Sequence, residues 1–208
     1  MSGSTPLHRL GILLSGRGSN FLAIAEAIAE GRLPQATIAV VISNRRDAPG
    51  IAAAESAGFA TRVIEPRGRS RAEHDAEIIA TLVAHQVELV CLAGYMRLLS
   101  GEFVRAFPQR ILNIHPSLLP AFPGLDAQSQ ALAYGVTVSG CTVHFVDEEL
   151  DHGVIVLQKT VPVLAEDDES ALAARILAQE HVAYTEAIAR VLSCKYSVAG
   201  RRYVPLVK

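Results

Sequence analysis

Apolar runs of strand length alternate, through the first half of this chain, with stretches whose apolar residues recur at helical spacing. The runs are residues 10–15, 36–43, 60–64 and 87–93, and a fifth begins at Ile111. Between them lie helical patterns ending near Ile28 and Gly58, a third over 70–85 and a short one over 101–107. With no internal repeat or low-complexity linker, this alternation predicts a mostly parallel sheet with helices on both faces. The 87–93 run is apolar apart from Glu88, as expected of a strand covered on both sides. The rhythm then changes. A helical pattern covers 127–134, and 139–146 and 154–163 read as strands joined by the short segment Asp147-Glu148-Glu149-Leu150-Asp151-His152-Gly153. So short a connection predicts antiparallel pairing. Residues 168–192 give a long helix with an acidic opening that suits its positive dipole end. Residues 201–207 read as a final edge strand, where Pro205 is tolerated. The predicted fold class is α/β: a Rossmann-like, doubly wound, mostly parallel sheet with an antiparallel C-terminal portion.

Composition narrows the setting. At 208 residues, half of them hydrophobic, the chain fits one domain with a sizeable core. The 21 acidic and 19 basic residues leave a formal charge of −2, which offers nucleic acid no polycationic field, although single basic residues remain available to a phosphate. Cys91, Cys141 and Cys194 are far apart and read as buried reduced thiols, not as a disulfide framework or zinc site. Residues 1–9 lack the apolar core of a signal peptide and no apolar run reaches membrane-spanning length, so a cytoplasmic protein without membrane contact is expected. The seven histidines show no ligand spacing of the HExxH kind, and no metal is expected.

Two turns carry candidate chemistry. Gly16-Arg17-Gly18-Ser19-Asn20 follows the first strand and opens a helix, whose free amides and dipole favour an anion. It is not a Walker motif, since no GKS or GKT follows, and Phe21 spoils a GxGxxG fingerprint. On these residues alone, an anion site and a plain tight turn with an Asn cap stand level. The second turn lies in ILNIHPSLLPAFPGLDAQSQ, residues 111–130. Asn113 and His115, two apart on a strand, project from the same face, and prolines then end the strand and stiffen an irregular loop. A polar pair at the end of an apolar strand is where an α/β site is expected. Gly94 to Leu99 leaves the fourth strand as either ordinary core or the lip of a pocket for a flat ring.

NIHPSLLPAFPG closely resembles the signature of the folate-dependent formyltransferases, most closely the branch acting on phosphoribosylglycinamide in purine synthesis. The resemblance extends from the Gly-rich turn to the long C-terminal helix. It implies a single domain with a phosphate-binding half near 8–110 and a folate-binding, catalytic half near 111–208, meeting over His115. It implies transfer of formyl from the co-substrate 10-formyltetrahydrofolate to the amine of 5-phosphoribosylglycinamide. Asn113, His115 and Asp151 match the three polar residues that recur in such sites. Periodicity does not bring Asp151 to His115; the resemblance does. The chemistry is coherent: Asn113 can donate to the developing oxyanion, His115 can stabilise it and move a proton, and a carboxylate at Asp151 favours imidazolium.

By the same resemblance Gly18, Ser19 and Asn20 would hold the phosphate, and Glu180 would accept from the ribose hydroxyls, unless it lies on a solvated helix face. Arg71 would meet the formylfolate, unless it is merely a solvated residue at a helix start. Met96, Arg97, Leu98 and Leu99 would line a folate pocket with Val146, Asp147, Asp151 and Asn113. Ser117 and His144 are left between bracing the site and packing. Arg17 stands at a variable position of the turn, and His152 where small residues are common, so the electrostatics of that loop are open. The partners implied are small molecules; a homodimer is left open.

Within the same superfamily, methionyl-tRNA formyltransferase normally carries a further domain and a basic surface, and formyltetrahydrofolate hydrolase an N-terminal regulatory domain. Here the first strand begins by Leu10. The hydrolase is the runner-up. A nucleotide-binding oxidoreductase predicts an acidic residue after the second strand, where the sequence reads Ser43-Asn44-Arg45-Arg46. A silent binding protein would need no Asn-His-Asp set. Direct attack by the amine is favoured over a covalent formyl-enzyme, since no activated Cys or Ser is evident.

Overall fold

The first apolar run forms β1 (His8–Leu14), buried throughout from Leu10 onward, with a register shift in its pairing between Leu10 and Gly11, and it organises the first half. β2 (Ala36–Ser43) pairs with it in parallel on one side and β4 (Leu89–Leu92) on the other, while β3 (Thr61–Val63) pairs in parallel with β2. The order is β3-β2-β1-β4. Parallel neighbours require long crossovers, which α1 (Ser19–Ala29), α2 (Pro49–Ser56) and α3 (Arg71–Ala84) supply. α3 starts on a capping box, in which Ser70 and Glu73 each bond the other's backbone amide. Its buried residues His74, Ile78 and Leu82 fall four apart on one face, with Asp75 beside them. α4 (Gly101–Ala106) is capped by Ser100.

A computed structural model describes residues 7–206 of the chain; Met1–Pro6 and Val207–Lys208, and with them most of the polar leader and the end of the predicted last strand, lie outside the described residues. The chain divides into two compact units, Met1–Leu112 and Asn113–Lys208, with the division inside β5 (Ile111–His115). In the second unit come α5 (Ala127–Tyr134), β6 (Val138–Phe145) and β7 (Ile155–Pro162). β6 and β7 are antiparallel, as their short connection requires, and run from Val138↔Pro162 to His144↔Ile155. α6 (Glu169–Leu192) packs on both, opened by the Asp168 carboxylate accepting from the Ala171 amide at 2.7 Å. Its Leu172, Ile176, Ala183 and Ala187 are buried at helical spacing.

The C-terminus corrects one expectation. The last strand is not the edge: residues 196–199 form a further strand, β8 (Tyr196–Ala199), which turns back into β9 (Arg202–Pro205) as an antiparallel hairpin. β9 lies between β7 and β8. The hairpin is held by aromatic contact, with Tyr196 stacked on Tyr203 at 4.7 Å and on Phe145 at 6.0 Å between ring centroids. Four-residue strands flanked by Cys194, Lys195 and paired arginines give too little alternation for the pattern to reveal both. The cysteines also need one correction. All three are free and Cys91 and Cys141 are buried, but Cys194 is exposed, because it sits in the turn after α6. Among the described residues no helix is long and apolar enough to cross a membrane.

Gly140 marks how closely β6 and β7 approach. A Cβ there would stand 2.0 Å from the Lys159 carbonyl oxygen and 2.9 Å from Leu118 Cδ2. Gly140→Ala is expected to lower the unfolding free energy by about 2–3 kcal/mol, read as a fall in the urea midpoint at unchanged slope. An unchanged midpoint would contradict this packing.

Candidate active site

The Gly-rich turn delivers the chain from β1 into α1. Gly18 is the helix N-cap with φ 74, a left-handed conformation that suits glycine, and a Cβ there would stand 3.0 Å from Gly50 Cα. The Gly50 amide donates to the Gly16 carbonyl at 3.0 Å, so the two segments meet backbone to backbone. Beside them opens a cavity of about 540 Å³ whose lining includes Gly18, Ser19, Asn20, Arg17 and Arg45. The structure thus brings the three predicted phosphate residues to one pocket of the first unit, where free helix amides and two guanidiniums favour an anion.

In the second unit β5 sets Asn113 and His115 on one face. His115 is buried, and its Nε2–H donates to the Phe122 carbonyl at 2.8 Å, which turns Nδ1 toward the Asp151 carboxylate, 3.4 Å away. Asp151 comes from the β6–β7 connection, and the same Oδ2 accepts from the Gly124 amide at 2.8 Å. Asn113 is oriented by His144. The Nδ1–H of His144 donates to the Phe145 carbonyl at 2.8 Å, so the lone pair of its Nε2 faces the Asn113 amide nitrogen at 3.2 Å. Burial pushes the His144 pKa below its usual 6.5, against the opposing pull of the Phe145 carbonyl and of Asp151, whose Oδ1 is 3.7 Å from Nε2. One proton of the Asn113 amide is therefore committed and the other remains to donate. Together these groups offer a half-buried neutral donor and carboxylate around a buried imidazole.

Several questions that the sequence leaves open are answered by geometry. The Ser117 hydroxyl donates to the Ala121 carbonyl at 2.5 Å, so it braces the loop after β5. Thr142 does more of this bracing and went unrecognised: it donates to the Ser117 carbonyl at 2.7 Å and accepts from the Leu119 amide at 3.0 Å. A threonine in an apolar strand was the available signal. Asp147 does not lie free, since it accepts from His152 Nδ1 at 2.8 Å and from the Glu149 amide at 3.0 Å. Arg201 donates to the Nε2 and carbonyl of His152, so both nitrogens of that ring are engaged. Glu180 is 8% exposed, so it is not on a solvated helix face. Arg71 is the exposed first residue of α3. Met96 and Leu98 are exposed, Leu99 and Val146 half-buried, and Arg97 Nε is buried with no hydrogen-bond partner.

Comparison with known proteins accords with this arrangement. The family model described as formyl transferase matches residues 8–188. The chain belongs to the formyl transferase family. Its similarity to phosphoribosylglycinamide formyltransferase of Escherichia coli K12 is 44% identity, over 83% of this chain and 82% of that protein. The crystal structure of glycinamide ribonucleotide transformylase 1 from Symbiobacterium toebii covers all of this chain, with 98% of that chain matched, a TM-score of 0.96 and 49% identity. Both the mostly parallel mixed sheet and its antiparallel C-terminal portion are therefore those of a formyl transferase. The trifunctional purine biosynthetic protein adenosine-3 of Drosophila pseudoobscura pseudoobscura is 46% identical over 91% of this chain, which spans only 14% of that relative's length.

The neutral His144 makes a pH prediction for this formyl transferase. Its folded pKa is depressed, so as pH falls the unfolded chain takes up the proton first. The associated stability is complete above the unfolded value of about 6.5 and is lost on acidification toward the lower folded value, at no more than about 1.4 kcal/mol per pH unit. His144→Asn should therefore lose less stability than wild type between about pH 7.5 and 5.5, by urea midpoints. An equal loss in both proteins would mean that His144 is not held neutral.

Proposed function

We propose that this chain transfers the formyl group of 10-formyltetrahydrofolate to the amine of 5-phosphoribosylglycinamide, giving the N-formyl product and tetrahydrofolate for purine synthesis. The observation that carries the reading is the Asn113–His115–Asp151 cluster, its histidine buried and the other two half-buried, with Asp151 3.4 Å from His115 and fastened to the Gly124 amide. Formyl transfer forms a C–N bond from the amine to the formyl carbon and breaks the carbon's bond to the donor nitrogen, while a proton passes from the amine to that nitrogen. Negative charge gathers on the formyl oxygen in between. The uncommitted Asn113 N–H donates to that oxygen without titrating. His115, steadied by the Phe122 carbonyl and Asp151, stabilises the same charge and moves the proton. Direct attack is the favoured route, because Cys91 and Cys141 are buried and burial pushes the Cys141 thiol up to about 12.

Gly18, Ser19 and Asn20 hold the substrate phosphate in this reading, with Arg17 and Arg45 adding charge at the cavity wall. Glu180 accepts from the ribose hydroxyls. The folate side takes Arg71, the exposed apolar Met96 and Leu98 with Leu99, Val146 and the loop at Asp147–Asp151; the unpartnered Arg97 Nε–H suits an acceptor oxygen or nitrogen on a pterin or its amide tail. The three free thiols suit a reducing, cytoplasmic setting. The whole chain forms one catalytic domain, its phosphate residues on the first unit and its Asn-His-Asp set on the second.

A single-turnover experiment with purified protein and 10-formyltetrahydrofolate, offering phosphoribosylglycinamide, water or initiator tRNA as acceptor, tests the assignment. Formyl is expected on phosphoribosylglycinamide alone; release to water alone would make the protein a hydrolase and end the proposal. Asn113→Ala should then slow the chemical step by about 100- to 1,000-fold, with the KM for phosphoribosylglycinamide changed far less.

A further inference from the structure

The segment from Gly94 to Ser100 leaves β4 and carries Met96, Arg97, Leu98 and Leu99, the residues assigned above to the folate side. It has no regular secondary structure, yet it is fastened at both ends by buried side chains that nothing so far assigns to the reaction. At its start, Ser15 is 4% exposed and makes a directional relay. The Ser15 amide donates to the Gly94 carbonyl at 3.0 Å, the Met96 amide donates to Ser15 Oγ at 2.8 Å, and Ser15 Oγ–H donates to Asn44 Oδ1 at 2.6 Å. With its single proton committed to Asn44, the hydroxyl has lone pairs only for Met96.

At the far end, the Ser100 amide donates to Asp75 Oδ2 at 2.6 Å. Asp75 is 2% exposed, one turn along α3 from Arg71, with its Oδ1 3.5 Å from His74 Nδ1. The Ser100 hydroxyl in turn accepts from the Phe103 amide at 3.3 Å, so the pin at Asp75 continues into the cap of α4. Tyr95, inside the segment, feels both neighbouring charges: burial pushes its phenol pKa up, Asp75 adds to that rise and Arg97 opposes it. Its hydroxyl is buried with no hydrogen-bond partner. Burying a carboxylate is costly for packing alone, and here it holds one end of an otherwise irregular strap.

We infer that Ser15 and Asp75 are positioning residues for the formyl donor, holding the strap at Gly94–Ser100 in the shape that receives the folate. The inference rests on the function proposed above. It assigns Ser15, which ends the first apolar run and lines the cavity beside the phosphate turn together with Gly94 and Met96, to the opposite substrate, because its hydroxyl is spent on Met96 and Asn44. Ser15→Ala leaves the Met96 amide and the Asn44 carbonyl without partners while removing no volume beyond the oxygen, so the strap loosens where it begins. Asp75→Asn keeps the shape and an acceptor for the Ser100 amide but removes the charge; Asp75→Ala removes both.

The test measures KM for each substrate, kcat and amide hydrogen exchange in the full chain. Ser15→Ala is expected to raise KM for 10-formyltetrahydrofolate about tenfold, leave KM for phosphoribosylglycinamide within about twofold, and speed exchange at the Met96 amide. Asp75→Ala should act in the same sense with faster exchange at Ser100, and Asp75→Asn should restore part of the loss. If Ser15→Ala raised both KM values equally or neither, or left Met96 exchange unchanged, the inference would fail. Should Asp75→Ala fail to fold, Ser15→Ala and Asp75→Asn still decide it. Wild-type protein that transfers no formyl to phosphoribosylglycinamide would instead overturn the proposed function, a result distinct from a wild-type enzyme whose variants show no such split.

Discussion

The Asp151 carboxylate ties three pieces of chain to one point. It comes from the connection between two antiparallel strands, accepts the Gly124 amide from the loop after β5, and faces the imidazole that β5 presents. Without that bond the two loops would have little to hold them in register, because neither carries regular structure. His115 adds the reciprocal tie through the Phe122 carbonyl, so the imidazole is fixed by the loop that the carboxylate fixes. Each group is thus held by something other than the partner it acts with, which is how a polar cluster keeps its geometry when a substrate displaces water.

Holding that geometry strains the backbone. Asp151 has φ 49 and Phe122 φ 52, both left-handed in residues with a side chain. Such a conformation costs roughly 1–2 kcal/mol per residue, and it falls on the two residues that meet His115. The bracing around them offsets this cost. Ser117, Thr142 and Gln158 form a ladder of bonds to the loop backbone that runs from the buried Ser117 and Thr142 out to the surface, with Gln158 donating to the Leu119 carbonyl and to Thr142 Oγ1, each at 2.9 Å. Strain at both residues that contact the imidazole, with satisfied polar groups behind it, is the pattern of a preorganised site.

Much of the fold was legible because it rests on periodicity. The run over 36–43 and the helix over 127–134 appear with the bounds their patterns predict, since each sits between unambiguous turn residues. The C-terminal hairpin was not legible: its strands are four residues long, and what joins them is ring stacking between Tyr196 and Tyr203, a contact that spacing does not encode. In the site, Asn113 and His115 share a face by strand geometry alone, so their adjacency was readable. The approach of Asp151 depends on a fold-back across 36 residues and entered only through family resemblance. His144 and Thr142 were harder still. Each is a polar residue in an apolar strand, and nothing local says which buried group it serves.

The orientation of Asn113 has an outcome for ligand design. Because the Phe145 carbonyl fixes the proton of His144 on Nδ1, the opposite ring nitrogen can only accept, and the amide must present its nitrogen to it. The edge of Asn113 next to that contact is consequently electropositive. Inhibitors built around a sulfoxide or a hydrated ketone would find their lone pairs matched at that edge.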